Sequence, residues 1–228
     1  MLRRIFIFSA SLRIWHWINF LAIMVLFFTG LYIGTPYFTT SSGYEATYAY
    51  DKNITMGFIR FIHFSAGYVL LFSFLFRLFI AFFRKGDRLF IPKFWTIEYW
   101  QGLKETIMEY LFIREHRPMI RNPLARTAYF SVYLMIFFMI ATGFGMYGLS
   151  DPDGFWASLF GWVVWSLGGE FEAHYWHHIV AWLIILFFVL HVYFVSREDF
   201  SHKNGEVSSM FNGVKFFEKE PVDIDDAK

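Results

Sequence analysis

The chain has 228 residues, of which 57% are hydrophobic, 24% aromatic and only 17% charged, and its net charge is +1. A soluble domain of this size carries about 25% charged residues, so the composition argues against a soluble enzyme and favours a membrane protein. The chain contains no cysteine. Iron–sulfur clusters, thiolate zinc sites and covalent haem attachment are therefore excluded, because each of them needs cysteine side chains.

Four apolar segments are long enough to cross a hydrocarbon core of about 30 Å. We predict an all-α membrane protein in which residues 1–228 form a single domain, a four-transmembrane-helix bundle. The second span contains Arg60 and Arg77, which can extend to the membrane surface or pair with buried anions. A fifth apolar run is too short to cross and is expected to lie at the membrane interface or to be covered by a partner protein. The predicted spans are about residues 14–33, 58–83, 127–149 and 173–196, and the short run is residues 155–169.

Lysine and arginine are unevenly distributed among the segments that connect the spans. The connection of residues 84–126 carries nine of them, whereas residues 34–57 hold only Lys52 and residues 150–172 hold none. Because cytoplasmic segments are enriched in these residues, both termini and the long middle connection are predicted to be cytoplasmic. Within that connection, residues 98–114 are expected to form a helix on the membrane surface, in contact with lipid. No nucleic-acid signature is present.

The fourth apolar segment contains four of the eight histidines: His174, His177, His178 and His191. A helix turns about 100° per residue, so His177 and His191 share one face and lie about 21 Å apart along its axis. Imidazole is costly in lipid and needs a partner there. Two imidazoles at different depths suit two stacked metal centres, each of which takes its second ligand from another helix.

The predicted orientation places the histidines in two layers. His16 and His191 fall near the cytoplasmic surface, whereas His63 and His177 fall near the outer surface. We therefore predict two bis-histidine b haems, one held by each pair, because neutral imidazole is a good ligand for iron. Gly67 follows His63 by one helical turn, and its missing side chain would let a porphyrin approach the backbone.

Several of these sequence features also have a simpler interpretation that does not involve haem. A haem-free anchor or proton conductor would retain the same four spans and hydrogen-bond the histidines to neighbouring groups. Arg60 and Arg77 either neutralise haem propionates or extend to lipid headgroups. His178 is expected beside a ligand or at the interface, and His116 and His202 are expected to be solvated. The glycines of the third span are expected to serve helix packing; they are Gly143, Gly145 and Gly148.

Two motifs resemble those of the b-type cytochrome subunit of membrane-bound nickel–iron hydrogenases. The first-span motif is similar to RIWHWINFLAIMVLFFTG, residues 13–30, and the second to HYWHHIVAWLIILFFVLHVYFVSRED, residues 174–199. The resemblance extends through ATGFGMYG, WSLGGEFEAH and SSMFNGVKFF, and so covers nearly the whole chain. The formate dehydrogenase cytochrome b subunit shares the four-helix plan but resembles these stretches less closely.

This resemblance implies an electron-transfer subunit of an oxidoreductase complex that is not catalytic alone. Such a subunit anchors the small iron–sulfur and large nickel–iron subunits on the periplasmic side of the bacterial inner membrane. It passes electrons from hydrogen oxidation to menaquinone or another quinone. By the same resemblance, His63 and His177 hold the haem nearer the small subunit, and His16 and His191 hold the haem nearer the quinone. A formate dehydrogenase or thiosulfate reductase partner is the alternative.

The chain departs from the family pattern just before the third span. The family usually has H-N-P-L there, whereas residues 121–124 read RNPL. Arg121 cannot exchange protons at neutral pH, although its charge can stabilise a developing anion. Asn122 is expected to hydrogen-bond a quinone carbonyl. At the opposite surface, His174 is expected to face the small subunit and to line the route by which electrons enter.

Overall fold

The computed structural model describes residues 3–34, 53–83, 91–111, 113, 119–218, 220, 221 and 223. Within these residues the chain is mostly helical, and four helices are long and apolar enough to cross a membrane. The elements, in chain order, are β1 (Arg3–Phe6), α1 (Ala10–Gly34), α2 (Asn53–Phe83), α3 (Ile97–Tyr110), α4 (Pro123–Gly148), α5 (Phe155–Ser166), α6 (Glu170–His202), α7 (Glu206–Asn212) and β2 (Val214–Phe217).

The candidate spans α1, α2 and α6 contain the predicted first, second and fourth segments, whereas the predicted third segment extends one residue beyond the end of α4 at Gly148. Helix α6, for example, runs for 33 residues from Glu170 to His202. A helix keeps its backbone hydrogen bonds after its apolar stretch ends, so hydropathy underestimates its length. The prediction of four membrane-spanning helices is confirmed at this level. The single-domain assignment and the side of the membrane on which the termini lie stay predictions.

Helices α3 and α5 correspond to the two segments predicted not to span. Helix α5 is largely apolar but has only 12 residues, too few to cross a hydrocarbon core. Helix α3 matches the predicted surface helix and begins at a Thr96 cap, whose hydroxyl accepts from the Tyr99 N–H at 3.3 Å. It ends at Tyr110, four residues before the predicted end. Several predicted positions lie outside the described residues: Lys52, Arg84, Lys85, Arg88, Arg114, His116 and Arg117.

The chain forms two compact units. The first unit contains Met1–Ile14, Arg77–Phe138 and Trp182–Lys228, and the second contains Trp15–Phe76 and Met139–Ala181.

The first unit includes a small sheet that hydropathy does not predict. Strands β1 and β2 are antiparallel, with Arg3 opposite Phe217 and Phe6 opposite Val214. A buried cluster of Ile7, Phe8, Ile120 and Phe217 continues from it. Gly213 precedes β2 with a φ of 82°, and a Cβ there would stand 2.6 Å from the Phe8 carbonyl oxygen, so only glycine fits this turn. The two ends of the chain therefore meet directly.

In the second unit, glycines bring α4 and α5 close together. A Cβ on Gly145 would lie 2.9 Å from the Phe160 carbonyl oxygen, and one on Gly148 would lie 2.6 Å from the Ala157 nitrogen. These two positions therefore behave as the packing residues that the sequence predicts. Trp156 on α5 fills the adjacent space, where its indole stacks on Phe144 with ring centroids 4.1 Å apart.

Candidate haem-binding site

The ring of His63 on α2 is held by hydrogen-bonding groups of α1. Its Nδ1 lies 2.9 Å from the hydroxyl of Thr29, which is buried. That hydroxyl also donates to the carbonyl of Val25 at 2.6 Å. Because a threonine hydroxyl has a single hydrogen, it accepts a bond from the imidazole rather than donating one. The Leu26 carbonyl, 3.2 Å from the same hydroxyl, is a further acceptor for the ring. These contacts favour the tautomer with the proton on Nδ1, in which Nε2 keeps its lone pair.

His177 on α6 is held in the same way by α4. Its Nδ1 lies 2.7 Å from the hydroxyl of Thr142, a residue with no exposed surface. The hydroxyl also reaches the Met139 carbonyl of its own helix at 3.3 Å. Threonines in helices commonly bond a carbonyl three or four residues earlier in this manner. His177 is thus placed to present Nε2, as His63 does.

A glycine follows each of these threonines and lies against the same histidine. A Cβ on Gly30 would stand 3.3 Å from Cε1 of His63, and a Cβ on Gly143 would stand 3.4 Å from Cε1 of His177. A side chain at Gly30 would press on the His63 ring, whereas one at Gly143 would just contact the His177 ring. Gly143 was expected to serve helix packing rather than cofactor contact, and the residue it borders is a predicted ligand.

The predicted outer pair lies within one unit of the structure. His63 and His177 both belong to the second unit. His177 lies close enough to His63, His174 and His178 to interact electrostatically with them. This proximity supports the predicted pairing of His63 with His177, which stays a prediction.

The predicted inner ligands fall in different units. His16 belongs to the second unit and His191 to the first, so their pairing stays a prediction. The His191 ring stacks on Phe187 with centroids 5.6 Å apart and meets the edge of Tyr129 at 5.9 Å. His16 meets the neighbouring Trp17 ring edge-on at 5.1 Å.

The two arginines of α2 have different surroundings. Arg77 is only 3% exposed, and its Nε donates to the Tyr133 hydroxyl at 2.9 Å. A side chain buried in this way does not extend to lipid headgroups, so the burial favours the alternative of a buried anionic partner. Arg60 is exposed, and both of its predicted roles stay open.

The remaining histidines of α6 lie at the surface. His174 is exposed, and its Nδ1 lies 2.9 Å from the Glu170 carbonyl of the same helix. His178 is also exposed, and its ring borders Gly34 at the end of α1. His202 was expected to be solvated. It is exposed, and its Nε2 also lies 2.9 Å from a carboxylate oxygen of Glu109, which is largely buried.

The RNPL stretch before α4 has structural contacts of its own. The side-chain oxygen Oδ1 of Asn122 accepts from the Ala125 N–H at 2.7 Å and caps the helix that begins at Pro123. The Arg121 guanidinium lies 4.7 Å from the ring centroids of both Phe8 and Tyr129. These contacts fix both residues at the start of α4.

Asn122 also hydrogen-bonds Tyr110 at the end of α3. Burial, followed by the negative charge of Glu198, raises the pKa of Tyr110 to about 12. Arg197 lies over the Tyr110 ring, 4.9 Å from its centroid. The Tyr110 hydroxyl therefore stays protonated at neutral pH and keeps a hydrogen to donate.

Comparison with known proteins identifies the family. The sequence model of the prokaryotic cytochrome b561 family matches residues 7–213. The chain belongs to this family. This cytochrome b561 is also 39% identical over 220 residues to a protein of Cupriavidus necator, covering 93% of this chain and 87% of the relative. It is 39% identical to an Escherichia coli K12 relative, over 92% of this chain and 90% of that protein.

Both relatives are named as "Probable" nickel–iron hydrogenase B-type cytochrome subunits, the second of hydrogenase 1. An Azotobacter vinelandii protein with the corresponding name is 36% identical, over 96% of this chain and 91% of its own length. The resemblance indicated by the two histidine motifs is therefore confirmed.

A b-type cytochrome binds haem b, and the described residues of this cytochrome b561 fit that group. Two histidines direct Nδ1 to threonine hydroxyls, which leaves Nε2 for iron. Apart from its own helix backbone and chain neighbours, no heavy atom lies within 4 Å of a Cβ built on Gly67, one turn from His63, so the backbone is accessible there. Among the described residues, no group of three or more histidine and carboxylate side chains is arranged to hold a metal ion. A haem iron needs only two axial ligands from the protein.

Sequence reasoning missed the two threonines and the capping role of Asn122. The repeated dipeptide Thr-Gly, at residues 29–30 and 142–143, was a visible signal in the cytochrome. Asn followed by Pro is likewise typical of a helix start, with the cap at Asn122 and proline in the first turn.

Proposed function

We propose that this cytochrome is the di-haem membrane subunit of a nickel–iron hydrogenase, and that it passes electrons from an iron–sulfur subunit to membrane quinone. The observation that carries the proposal is the matched support of His63 and His177, each bonded through Nδ1 to a buried threonine. The alignments with the two relatives cover more than nine tenths of the chain, and the names of these relatives suggest a hydrogenase as the partner.

Haem b, when bound, supplies an iron that changes by one electron between two oxidation states. His63 and His177 would hold an outer haem, and His16 and His191 an inner haem. The protein fixes the orientation of these rings and surrounds them with apolar side chains, which sets the iron potentials. Arg77 would neutralise a propionate of the inner haem, and Arg60 one of the outer haem.

The quinone site would lie at the start of α4. A quinone needs hydrogen-bond donors for its carbonyls and apolar walls for its ring, as at a membrane interface. Asn122 bonds Tyr110, and the protonated Tyr110 hydroxyl can donate onward to a carbonyl. Arg121, held over two aromatic rings, would stabilise negative charge on the reduced ring. Menaquinone or another membrane quinone fits this chemistry.

The hydrogenase subunits would dock on the periplasmic side of the bacterial inner membrane, with this chain as their anchor. His174 is exposed, and the nearby Phe171 and Trp165 are 80% and 77% exposed. Large apolar side chains exposed beside a polar one are typical of a protein interface. We place the entry of electrons there.

Electron transfer in this direction would be coupled to the membrane potential. Electrons would enter outside, while the quinone would take up protons inside. Moving one charge across the membrane against 100 mV costs about 2.3 kcal/mol, which the oxidation of hydrogen must supply.

The pairing of ligands can be tested through His63→Ala and His177→Ala in the purified complex. Each variant should lose the same one of two haems, because each haem needs both of its ligands. Reduced-minus-oxidised absorption spectra and haem-to-protein ratios measure this loss, and His178→Ala should retain both haems. Loss of different spectral components in the two variants would refute the pairing.

The same preparation separates the alternative functions. A colourless pure protein would indicate a haem-free anchor or proton conductor. Co-purification with a formate dehydrogenase or thiosulfate reductase catalytic subunit, instead of a hydrogenase, would assign the cytochrome to that complex.

A further inference from the structure

The dipeptide Thr-Gly occurs once in α1 and once in α4, and each copy contacts one predicted ligand of the outer haem. Thr29 and Gly30 lie against His63, and the corresponding residues 142 and 143 lie against His177. In both copies the hydroxyl meets Nδ1, and the glycine borders Cε1 of the ring. Two different helices thus offer the same support to two histidines on two further helices.

We propose that Thr29 and Thr142 are positioning residues that fix the tautomer of the outer haem ligands and lower the reduction potential of that haem. The inference rests on the proposed function, since it takes His63 and His177 as ligands. It adds a role for two residues that touch neither iron nor substrate.

The direction of the hydrogen bond follows from the contacts of each hydroxyl. Thr29 lies 2.6 Å from the Val25 carbonyl and 2.9 Å from Nδ1 of His63. A carbonyl can only accept, so the hydrogen of the hydroxyl goes to Val25 and a lone pair faces the ring. The imidazole is consequently protonated on Nδ1 and offers Nε2 to iron.

The same bond changes the strength of the ligand. An imidazole whose N–H is hydrogen-bonded donates more electron density through its other nitrogen. Greater donation stabilises the more highly charged ferric iron over ferrous iron, so the potential falls. Because both axial ligands of one haem would have this support, the two effects would act on the same iron.

The two glycines leave space for the imidazole rings of His63 and His177. A Cβ at Gly30 would stand 3.3 Å from the nearest ring carbon, which is closer than most such contacts, so the His63 ring would have to shift by a few tenths of an ångström. A Cβ at Gly143 would stand 3.4 Å from the nearest ring carbon and fill the space beside the His177 ring. Threonine and glycine therefore act together, one by attraction and the other by leaving room.

The test compares Thr29→Val and Thr142→Val with Thr29→Ser and Thr142→Ser in the complete complex. Valine keeps the volume of threonine but removes the hydroxyl, whereas serine keeps the hydroxyl. Redox titration followed at the haem α bands should show a higher midpoint potential for one of the two haems in each valine variant. The serine variants should keep the wild-type potential.

Haem retention and electron paramagnetic resonance provide further measurements. Loss of such a supporting bond typically weakens metal binding by about 10-fold or more, so the valine variants should lose haem at lower detergent concentrations. Their ferric g-values should change for the same haem. If valine does not accumulate, Thr29→Ala against Thr29→Ser makes the same comparison between two small residues.

Unchanged potentials and g-values in both valine variants would overturn the proposal. Equal shifts in valine and serine variants would also overturn it, because they would point to packing rather than hydrogen bonding. Failure of the ligand pairing would instead appear in His63→Ala and His177→Ala, whatever the threonine variants do.

Discussion

Gly67 and Gly161 are both helical, and apart from the backbone of their own helix and their chain neighbours, neither has a heavy atom within 4 Å of the position that a Cβ would take. They differ in their surroundings, because Gly67 lies one turn from His63 whereas Gly161 lies in the short helix α5. At the scale of single residues, comparing alanine substitutions at these two positions distinguishes the effect of a glycine on helix stability from its effect on haem binding.

We expect Gly67→Ala to lower haem retention although alanine stabilises a helix by about 1 kcal/mol relative to glycine. A porphyrin against the backbone at this position would meet the new methyl group. Gly161→Ala should gain helix stability and keep its haem. Haem-to-protein ratios and thermal unfolding of both variants measure the two effects. Full haem content in Gly67→Ala would place the porphyrin elsewhere.

Some residues of the candidate site could be predicted from the sequence, and others could not. His63 and His177 were predicted as ligands from spacing and depth, which follow from helical geometry, hydropathy and the distribution of lysine and arginine. Thr29 and Thr142 were not predicted, because their role arises from contacts between helices far apart in the chain. The burial of Arg77 beside Tyr133 likewise depends on packing that hydropathy does not contain.

At the scale of elements, the long helices follow from their apolar sequence, whereas their ends depend on local chemistry. Helix α4 starts at Pro123 because Asn122 caps it. Strands β1 and β2 have only four residues each. Their pairing joins opposite ends of the chain, so no periodicity within either strand could reveal it.

Asn122 caps α4 and has a proposed second role at the quinone site, so two different substitutions are needed to separate them. Asn122→Leu removes the cap, at a cost of about 1 kcal/mol, together with the amide proposed to support quinone binding. Asn122→Ser keeps a capping hydroxyl but is too short to replace the amide. We expect both variants to slow quinone reduction while hydrogen still reduces the haems, and only the leucine variant to lower the unfolding temperature.

Stopped-flow haem reoxidation by a quinone analogue, with thermal unfolding of the same samples, distinguishes these outcomes. Wild-type reoxidation in Asn122→Ser would show that the residue only caps α4 and would move the quinone site elsewhere.

At the scale of the whole molecule, the sheet places both ends of the chain together. Segments paired by backbone hydrogen bonds lie on the same side of a membrane, and an even number of spans returns the chain to that side. The four candidate spans agree with the β1–β2 pairing. Neither observation says which side this is, and only the distribution of lysine and arginine predicts the cytoplasm.

Because the chain has no cysteine, its orientation can be measured by labelling a single introduced cysteine, with no labelling of native cysteines in this chain. Ser201 and Asp153 are both exposed, and neither substitution removes a basic residue that would direct topology. In intact cells, a membrane-impermeant maleimide should label Asp153→Cys, predicted to be periplasmic, and should label Ser201→Cys only after the inner membrane is opened. The unmodified chain is the control for labelling, and hydrogen-dependent haem reduction shows that each variant is assembled. The reverse pattern would place the quinone on the periplasmic side and the entry of electrons on the cytoplasmic side, opposite to our proposal. The membrane potential would then favour electron transfer to the quinone instead of opposing it.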